Sequence, residues 1–215
     1  WPWQVGIAVS ARAAPKFKVS ERYFCGGAVL APRIVITAGH CVAHLRKPEV
    51  RQLVVISGRT RLNANRGQVV RVGQLRMPLN KAGKRRYREI DGTANWDVAL
   101  LLLRSPLRAI PIKLAGPDEK GIWSRGRIAW TTGWGITKPW TERPSKTLRV
   151  ARQVLMPENL CRRVDGNAFR PATMLCLGGS GGNATTCNGD SGGPLVANSS
   201  AGYRLIGVTS FGDGG

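Results

Sequence analysis

The segment Cys187-Asn188-Gly189-Asp190-Ser191-Gly192-Gly193-Pro194-Leu195 carries the residue types that acyl transfer needs. Glycines flanking Ser191 let the backbone turn sharply and leave room beside its Oγ for a substrate carbonyl. The same turn aims the N–H groups of Gly189 and Ser191 at one point, the arrangement of an oxyanion hole. Losing one such donor costs about 10²–10³ in rate. Asp190 has no basic neighbour in sequence, so burying it calls for a cation from elsewhere. A serine hydroxyl is a weak nucleophile until a base takes its proton. The chain has only two histidines, His40 and His44. His40 follows the apolar run Ile34–Ala38 and is the candidate base. Asp97 heads the apolar run Val98–Leu103 and offers a carboxylate to orient the imidazole.

Each of these residues alone has an ordinary structural reading. Ser191 reads as a glycine-rich surface turn, His40 as a satisfied structural histidine, Asp97 as a carboxylate at a strand start. Together and in the order His, Asp, Ser they read as a proton-transfer line, with an imidazole whose pKa suits shuttling near neutral pH. His40 and His44, four apart, have a spacing that binds metal on a helix. No third ligand accompanies them, and a metal on His40 would disable the base. We assign no metal and no cofactor.

The elements that would position these groups are short strands between turn signals. They fall at Gln4–Val9, Arg22–Leu30, Arg33–Thr37, Leu53–Ser57 and Val69–Arg76, then at Arg127–Thr132, Leu148–Leu155, Thr173–Leu177, Pro194–Ala197 and Arg204–Ser210. Ala11–Ser20 reads as a loop, and Met77–Trp96 as a long basic loop that delivers the chain to Asp97. Leu107–Gly121, with three prolines, reads as a crossing between halves. One short helix is expected at Pro157–Arg163, with proline in its first turn. Many short strands with little helix argue an all-β class built of barrels.

Composition bounds the reading further. A length of 215 residues suits one domain or two small ones with an ample core. The longest apolar run, Val98–Leu103, is far shorter than the ~20 residues of a membrane helix. The formal net charge of +21 has two readings. One is an anionic partner such as nucleic acid or a heparin-like sulfated polysaccharide. The other, which we favour, is an arginine-rich solvated surface, since no nucleic-acid module accompanies the charge. The densest basic run is Lys81, Lys84, Arg85, Arg86 and Arg88. Asn183-Ala184-Thr185 and Asn198-Ser199-Ser200 match the glycosylation sequon.

Ordered segments through most of the chain resemble the chymotrypsin/trypsin superfamily of serine endopeptidases. They are Pro2–Val5, Phe24–Gly27, Thr37–Cys41, Asp97–Leu101, Thr132–Gly135, Met174–Cys176, the Ser191 segment and Ser210–Gly212. The resemblance implies two six-stranded Greek-key β-barrels, the first about 1–115 and the second about 116–215, with the catalytic groups in the cleft between them. It implies catalytic His40, Asp97 and Ser191, an oxyanion hole at Gly189 and Ser191, and a secreted, granule or periplasmic enzyme made as a zymogen. Substrates would be proteins or peptides, and the enzyme a monomer. A non-catalytic cationic binding or antimicrobial homologue on the same scaffold is the alternative, but such a protein usually lacks one of the three groups.

Further implications concern cysteines and specificity. The family pattern pairs Cys25–Cys41 and Cys161–Cys176, and leaves Cys187, the last of five cysteines, waiting for a partner beyond Gly215. Ala129 and Ala197 replace another family disulfide. Disulfides imply an oxidising compartment. The family's mature N-terminus would precede Trp1, its amine pairing with Asp190, and closing strands would follow Gly215. The pocket floor, six residues before the nucleophile, is Thr185, followed by Thr186. Threonine cannot neutralise a buried cation. With Ser210 presenting its backbone to substrate, and Phe211 and Gly212 along the pocket wall, the expectation is a neutral, apolar or aromatic P1 residue.

Overall fold

The computed structural model describes residues 1–90, 93–138, 141, 143–179 and 185–212. Its first half is a closed six-stranded barrel. The strands are β1 (Gln4–Val9), β2 (Tyr23–Ala31), β3 (Ile34–Thr37), β4 (Leu53–Ser57), β5 (Gln68–Arg76) and, after the hairpin β6 (Arg88–Ile90) and β7 (Thr93–Asn95), β8 (Ala99–Leu103). Around the barrel the order is β1-β2-β3-β8-β5-β4, and β1 closes it by pairing with both β2 and β4. Alternation selects the core. Val5, Ile7, Val29, Val35, Val55, Val70, Val72, Leu101 and Leu103 point inward and are buried, and the β-branched valines and isoleucine among them pack well on a pleated surface.

The second half is a six-stranded sheet ordered β12-β11-β10-β13-β14-β9. Its members are β9 (Lys113–Leu114), β10 (Ile128–Gly133), β11 (Arg149–Leu155), β12 (Leu177–Gly179), β13 (Pro194–Ser199) and β14 (Gly202–Val208). Among the described residues it is open between β12 and β9. Ala129, Leu155 and Leu195 form its core with Trp123, Leu177 and Ile206. The helices α1 (Val19–Arg22), α2 (Lys47–Val50) and α3 (Glu158–Asp165) are short.

The halves meet along two mixed seams. Ala28 from β2 packs with Ile112, Val196 and Leu205. Tyr23, Val54, Ile56 and Leu62 pack on Trp134. Polar bonds cross the same boundary: Thr132 Oγ1 donates to Gln4 Oε1 at 2.5 Å, and Trp134 Nε1 to the Thr60 carbonyl at 3.0 Å. Backbone also meets backbone here: the Gly26 N–H donates to the Ser191 carbonyl at 2.7 Å. A Cβ on Gly26 would lie 2.9 Å from the Gly193 Cα.

The structure differs from the sequence expectation in several places. The strand expected at Thr173–Leu177 begins at Leu177, because Thr173 and Met174 close a turn on the Arg170 carbonyl. The 77–96 loop holds the β6–β7 hairpin and a bridge between Leu79 and Arg85. In it, Asn80 Oδ1 accepts from the N–H groups of Ala82 and Lys84, local side-chain bonding that strand propensity misses. The 107–121 crossing contains β9 and a 3₁₀ segment at Pro117–Trp123. The expected helix is α3, with Pro157 as its N-cap. Of the two sequons, Asn183 and Ala184 lie outside the described residues, and Asn198 is exposed at the end of β13.

Gly26→Ala should force the two halves apart where Ser191 is anchored. We expect a loss of about 1–3 kcal/mol in urea unfolding together with a fall in kcat. Unchanged stability and turnover would show that this contact has slack.

Candidate active site

β3 ends at Thr37, and three residues later His40 stands at the rim of the first barrel. Asp97 precedes β8, which pairs with β3 so that Thr37 faces Ala99. Adjacent strand ends therefore bring the two together. His40 Nδ1 lies 2.8 Å from Asp97 Oδ2, and the His40 N–H donates to Asp97 Oδ1 at 2.6 Å. The Ser210 hydroxyl donates to Asp97 Oδ2, an interaction the sequence reading did not anticipate because it assigned Ser210 only a backbone role. Asp97 is 5% exposed and His40 31%. Burial pushes the Asp97 carboxyl up, but the hydrogen bond and charge of His40, with the Ser210 bond, outweigh it and hold the group below its ordinary value.

The chain reaches Asp97 through a constrained turn. Trp96 has φ 54°, left-handed backbone that costs a bulky residue about 1–2 kcal/mol. Its N–H is met by Asn95 Oδ1 at 2.9 Å, and the Arg86 guanidinium lies 3.4 Å from its ring centroid. Thr173 Oγ1, from the second half, donates to the same Asn95 oxygen at 3.2 Å.

Ser191 lies across an open cleft of about 670 Å³ that His40, His44, Tyr87, Thr186, Ser210 and Phe211 also line. No hydrogen bond joins Ser191 Oγ to His40 Nε2. The contact recorded at Nε2 is Cys41 Sγ at 3.7 Å. Catalytic hydrogen bonds in unliganded sites are often long and tighten with substrate. Among the described residues, neither the Gly189 N–H nor the Ser191 N–H meets an acceptor. The Asn188 carbonyl accepts from Ile136 N–H at 2.9 Å, and a planar trans peptide then turns the Gly189 N–H the opposite way. The Gly189 carbonyl accepts from the Tyr23 hydroxyl at 2.5 Å. Tyr23, immediately before the Phe24–Gly27 segment, is a second residue that sequence reasoning missed. Burial and the Asp190 carboxylate push its phenol well above the usual range.

Asp190 points away from the cleft. Its carboxylate accepts from Gly135 N–H at 2.8 Å and Cys187 N–H at 3.1 Å. An added Cβ on Gly133 or Gly135 would run into it, which gives the Thr132–Gly135 segment its physical reason. Burial raises the Asp190 pKa, and the two N–H bonds only partly oppose that. Among the described residues no cation pairs with it.

The cysteines pair as Cys25–Cys41 and Cys161–Cys176, and Cys187 is free. Bridged, Cys25 and Cys41 offer no thiolate beside His40. Ala129 and Ala197 face each other in the β10–β13 register, where a further bridge would span the sheet. Thr185 is exposed. With Thr186, Phe211 and Gly212 it borders a second groove, of about 930 Å³, walled by Trp123, Leu177, Leu195 and Leu205.

Comparison with known proteins accords with this geometry. All of residues 1–215 match the family described as Trypsin. The chain belongs to the trypsin family. It is a serine endopeptidase of that family. The chain is 35% identical over 191 residues to a trypsin from Saccharopolyspora erythraea, covering 89% of this chain and 76% of that one. It is 33% identical to human transmembrane protease serine 5 across all of this chain but only 44% of the relative. Among solved structures it is similar to neuropsin, a serine protease expressed in the limbic system of mouse brain. The TM-score is 0.75 at 28% identity, over 99% of this chain and 83% of that one. The family and the two disulfides fit a location outside the reducing cytosol.

Ser210→Ala should weaken the Asp97 cluster. A hydrogen bond to a charged group contributes about 1.5–3 kcal/mol, and we expect a loss of that order in urea unfolding at pH 7. A carboxyl with a lowered folded pKa stabilises at pH above its unfolded value, near 4, and that stability vanishes as pH falls through the folded value. The gap between wild type and Ser210→Ala should therefore close below about pH 4. A gap constant with pH would separate the hydroxyl from the carboxylate's charge.

Proposed function

We propose that hydrolysis proceeds through Ser191 as nucleophile, His40 as general base and acid, and Asp97 as the carboxylate that orients the imidazole and stabilises its protonated form. The observation that carries this reading is His40 held by both oxygens of the buried Asp97 at the edge of the cleft that Ser191 lines. Ser191 Oγ attacks the scissile carbonyl carbon while His40 Nε2 takes its proton. The C–N bond then breaks as His40 returns that proton to the leaving amine, and an acyl-Ser191 ester remains. Water attacks the ester by the same route in reverse, releasing the acid and restoring Ser191. The uncommitted N–H groups of Gly189 and Ser191 are the donors for the developing oxyanion.

Asp190 takes the anionic half of an activation ion pair in this reading. A cation brought to its carboxylate would reverse the burial cost that raises its pKa. Specificity follows from Thr185 and Thr186 with Phe211 and Gly212: a neutral, apolar or aromatic P1 residue, since threonine at the floor supplies no charge for a buried lysine or arginine.

A fluorophosphonate probe should label the intact protein on Ser191, and Ser191→Ala should abolish labelling. Persistent labelling of that variant, or none of wild type after activation, removes Ser191 from its role. Among matched peptides, Phe at P1 should exceed Arg in kcat/KM by at least about tenfold, roughly 1.4 kcal/mol. Preference for Arg would overturn the pocket assignment while leaving the nucleophile intact.

A further inference from the structure

In the densest run of positive charge in the sequence, residues 81–88, the five cations are exposed and three of them also engage the chain. Arg85 donates to the Ala43 carbonyl, Arg88 to the carbonyls of Arg85 and Tyr87, and Arg86 stacks over Trp96. A different set of cations, scattered in sequence, converges at the far end of the first barrel. Arg33 enters β3, Arg71 sits in β5 and Arg104 leaves β8, the strand between them. The Leu103 N–H donates to the Arg33 carbonyl at 2.9 Å and the Arg104 N–H to the Arg71 carbonyl at 3.0 Å. One guanidinium N–H of Arg33 is fixed on the Arg104 carbonyl at 2.8 Å. Arg108, whose N–H reaches Gln68 Oε1 at 2.6 Å, extends the row past the start of β5.

All four side chains are exposed, and among the described residues none has an ion-pair partner. No acidic residue occurs between Glu49 and Glu89, so β4 and β5 bring no compensating charge. Arg71 and Arg104 occupy paired positions on neighbouring strands, about 4.8 Å apart, and Arg33, opposite Leu103, reaches the Arg104 carbonyl, so three like charges that repel gather at one end of the barrel. A closely spaced polyanion converts that repulsion into attraction, and the planar guanidinium forks suit oxyanion groups.

We propose that the Arg33–Arg71–Arg104 row is a docking surface for a linear sulfated polysaccharide. The disulfides place the chain outside the cytosol, where such polymers occur. The exposed aromatics Phe17, Tyr203 and Phe211 belong to other elements, so the row has no platform on which nucleic-acid bases would stack. The surface also leaves the cleft free. His40 and Asp97 lie beyond the Thr37–Ala99 end of β3 and β8, and the row lies beyond the Ile34–Leu102 end. At about 3.4 Å per residue, roughly 10 Å of strand separates the two ends. Docking would therefore localise the protease without blocking substrate. The inference rests on the charge arrangement and stands apart from the assignment of Ser191.

The test is heparin affinity of the intact protein against salt. We expect Arg33→Gln/Arg71→Gln/Arg104→Gln to elute at clearly lower salt than wild type. Its log affinity against log salt should be shallower by about two to three, the loss of three anion contacts. Lys81→Gln/Lys84→Gln/Arg85→Gln, with the same net charge, should elute near wild type. Circular dichroism and a thermal melt check that each variant is folded; if the triple is not, Arg104→Gln alone should show about a third of the slope change. Saturating heparin should leave kcat/KM on a short peptide within about twofold. Coincident elution of the two triples would reduce the effect to net charge and overturn the proposal. So would inhibition by heparin competitive with peptide, or duplex DNA binding as tightly as heparin with the same loss in the row variant.

Discussion

The close approach of β2 to the Ser191 turn is the constraint on which the rest depends. Gly26 N–H meets the Ser191 carbonyl at 2.7 Å, and a Cβ on Gly26 would lie 2.9 Å from the Gly193 Cα, an approach open only to residues without side chains. Gly192 takes φ 77°, and a Cβ there would collide with Thr37 Oγ1. The candidate nucleophile is thus measured from β2. So is the candidate base: β2 pairs with β3 in the register Ala28 to Ile36, and β3 leads to His40. The Cys25–Cys41 bridge ties β2 to the residue after His40. One strand of the first barrel therefore serves as the common reference for groups 151 positions apart in the chain, 191 less 40.

Two buried carboxylates near that reference show how partners decide the outcome of one physical effect. Desolvation raises both Asp97 and Asp190. Asp97 has an imidazole, an N–H and a hydroxyl directed at it and ends below its ordinary value. Asp190 has two neutral N–H donors and ends above. Neutral dipoles soften the burial of a charge, but an adjacent ionisable partner does more. Asp97 is thereby suited to remain charged beside a protonated imidazole. Asp190 is left as a site whose electrostatics a single cation would invert, and the glycines at 133 and 135 make the space that keeps it there.

Much of this was legible in the sequence where chemistry and periodicity coincide. The bounds of β1 and β4 follow from alternation between turn signals, and the His40, Asp97 and Ser191 candidates follow from residue type and order. The Cys25–Cys41 and Cys161–Cys176 pairings were legible only through family resemblance, as was the facing of Ala129 and Ala197. What remained hidden is non-local. The role of the Ser210 hydroxyl depends on a strand placed 113 residues from Asp97, and Tyr23 serves Gly189 from 166 residues away. The β6–β7 hairpin was hidden for a different reason: its three-residue strands are too short for a period, and Asn80 builds the preceding turn through side-chain bonds.

Charge is the property least legible in linear order, because a cation's neighbours in space decide whether its field reaches solvent. Arg86 and Arg88 lie close in sequence and are exposed but engaged by Trp96 and by backbone carbonyls, whereas Arg33, Arg71 and Arg104 are far apart in sequence and meet at one end of the barrel. The same logic bears on the cleft. A chain carrying +21 repels cationic substrate side chains unless a local carboxylate overrides the general field, which is screened beyond about 8–10 Å at physiological salt. Asp97 is engaged by His40 and Ser210, Glu89, which also lines the cleft, is exposed, and Thr185, the floor position we propose, carries no charge. With the pocket we propose, field and floor would act in the same direction, toward an uncharged side chain beside the scissile bond, and by independent means: one diffuse and salt-sensitive, the other local and not.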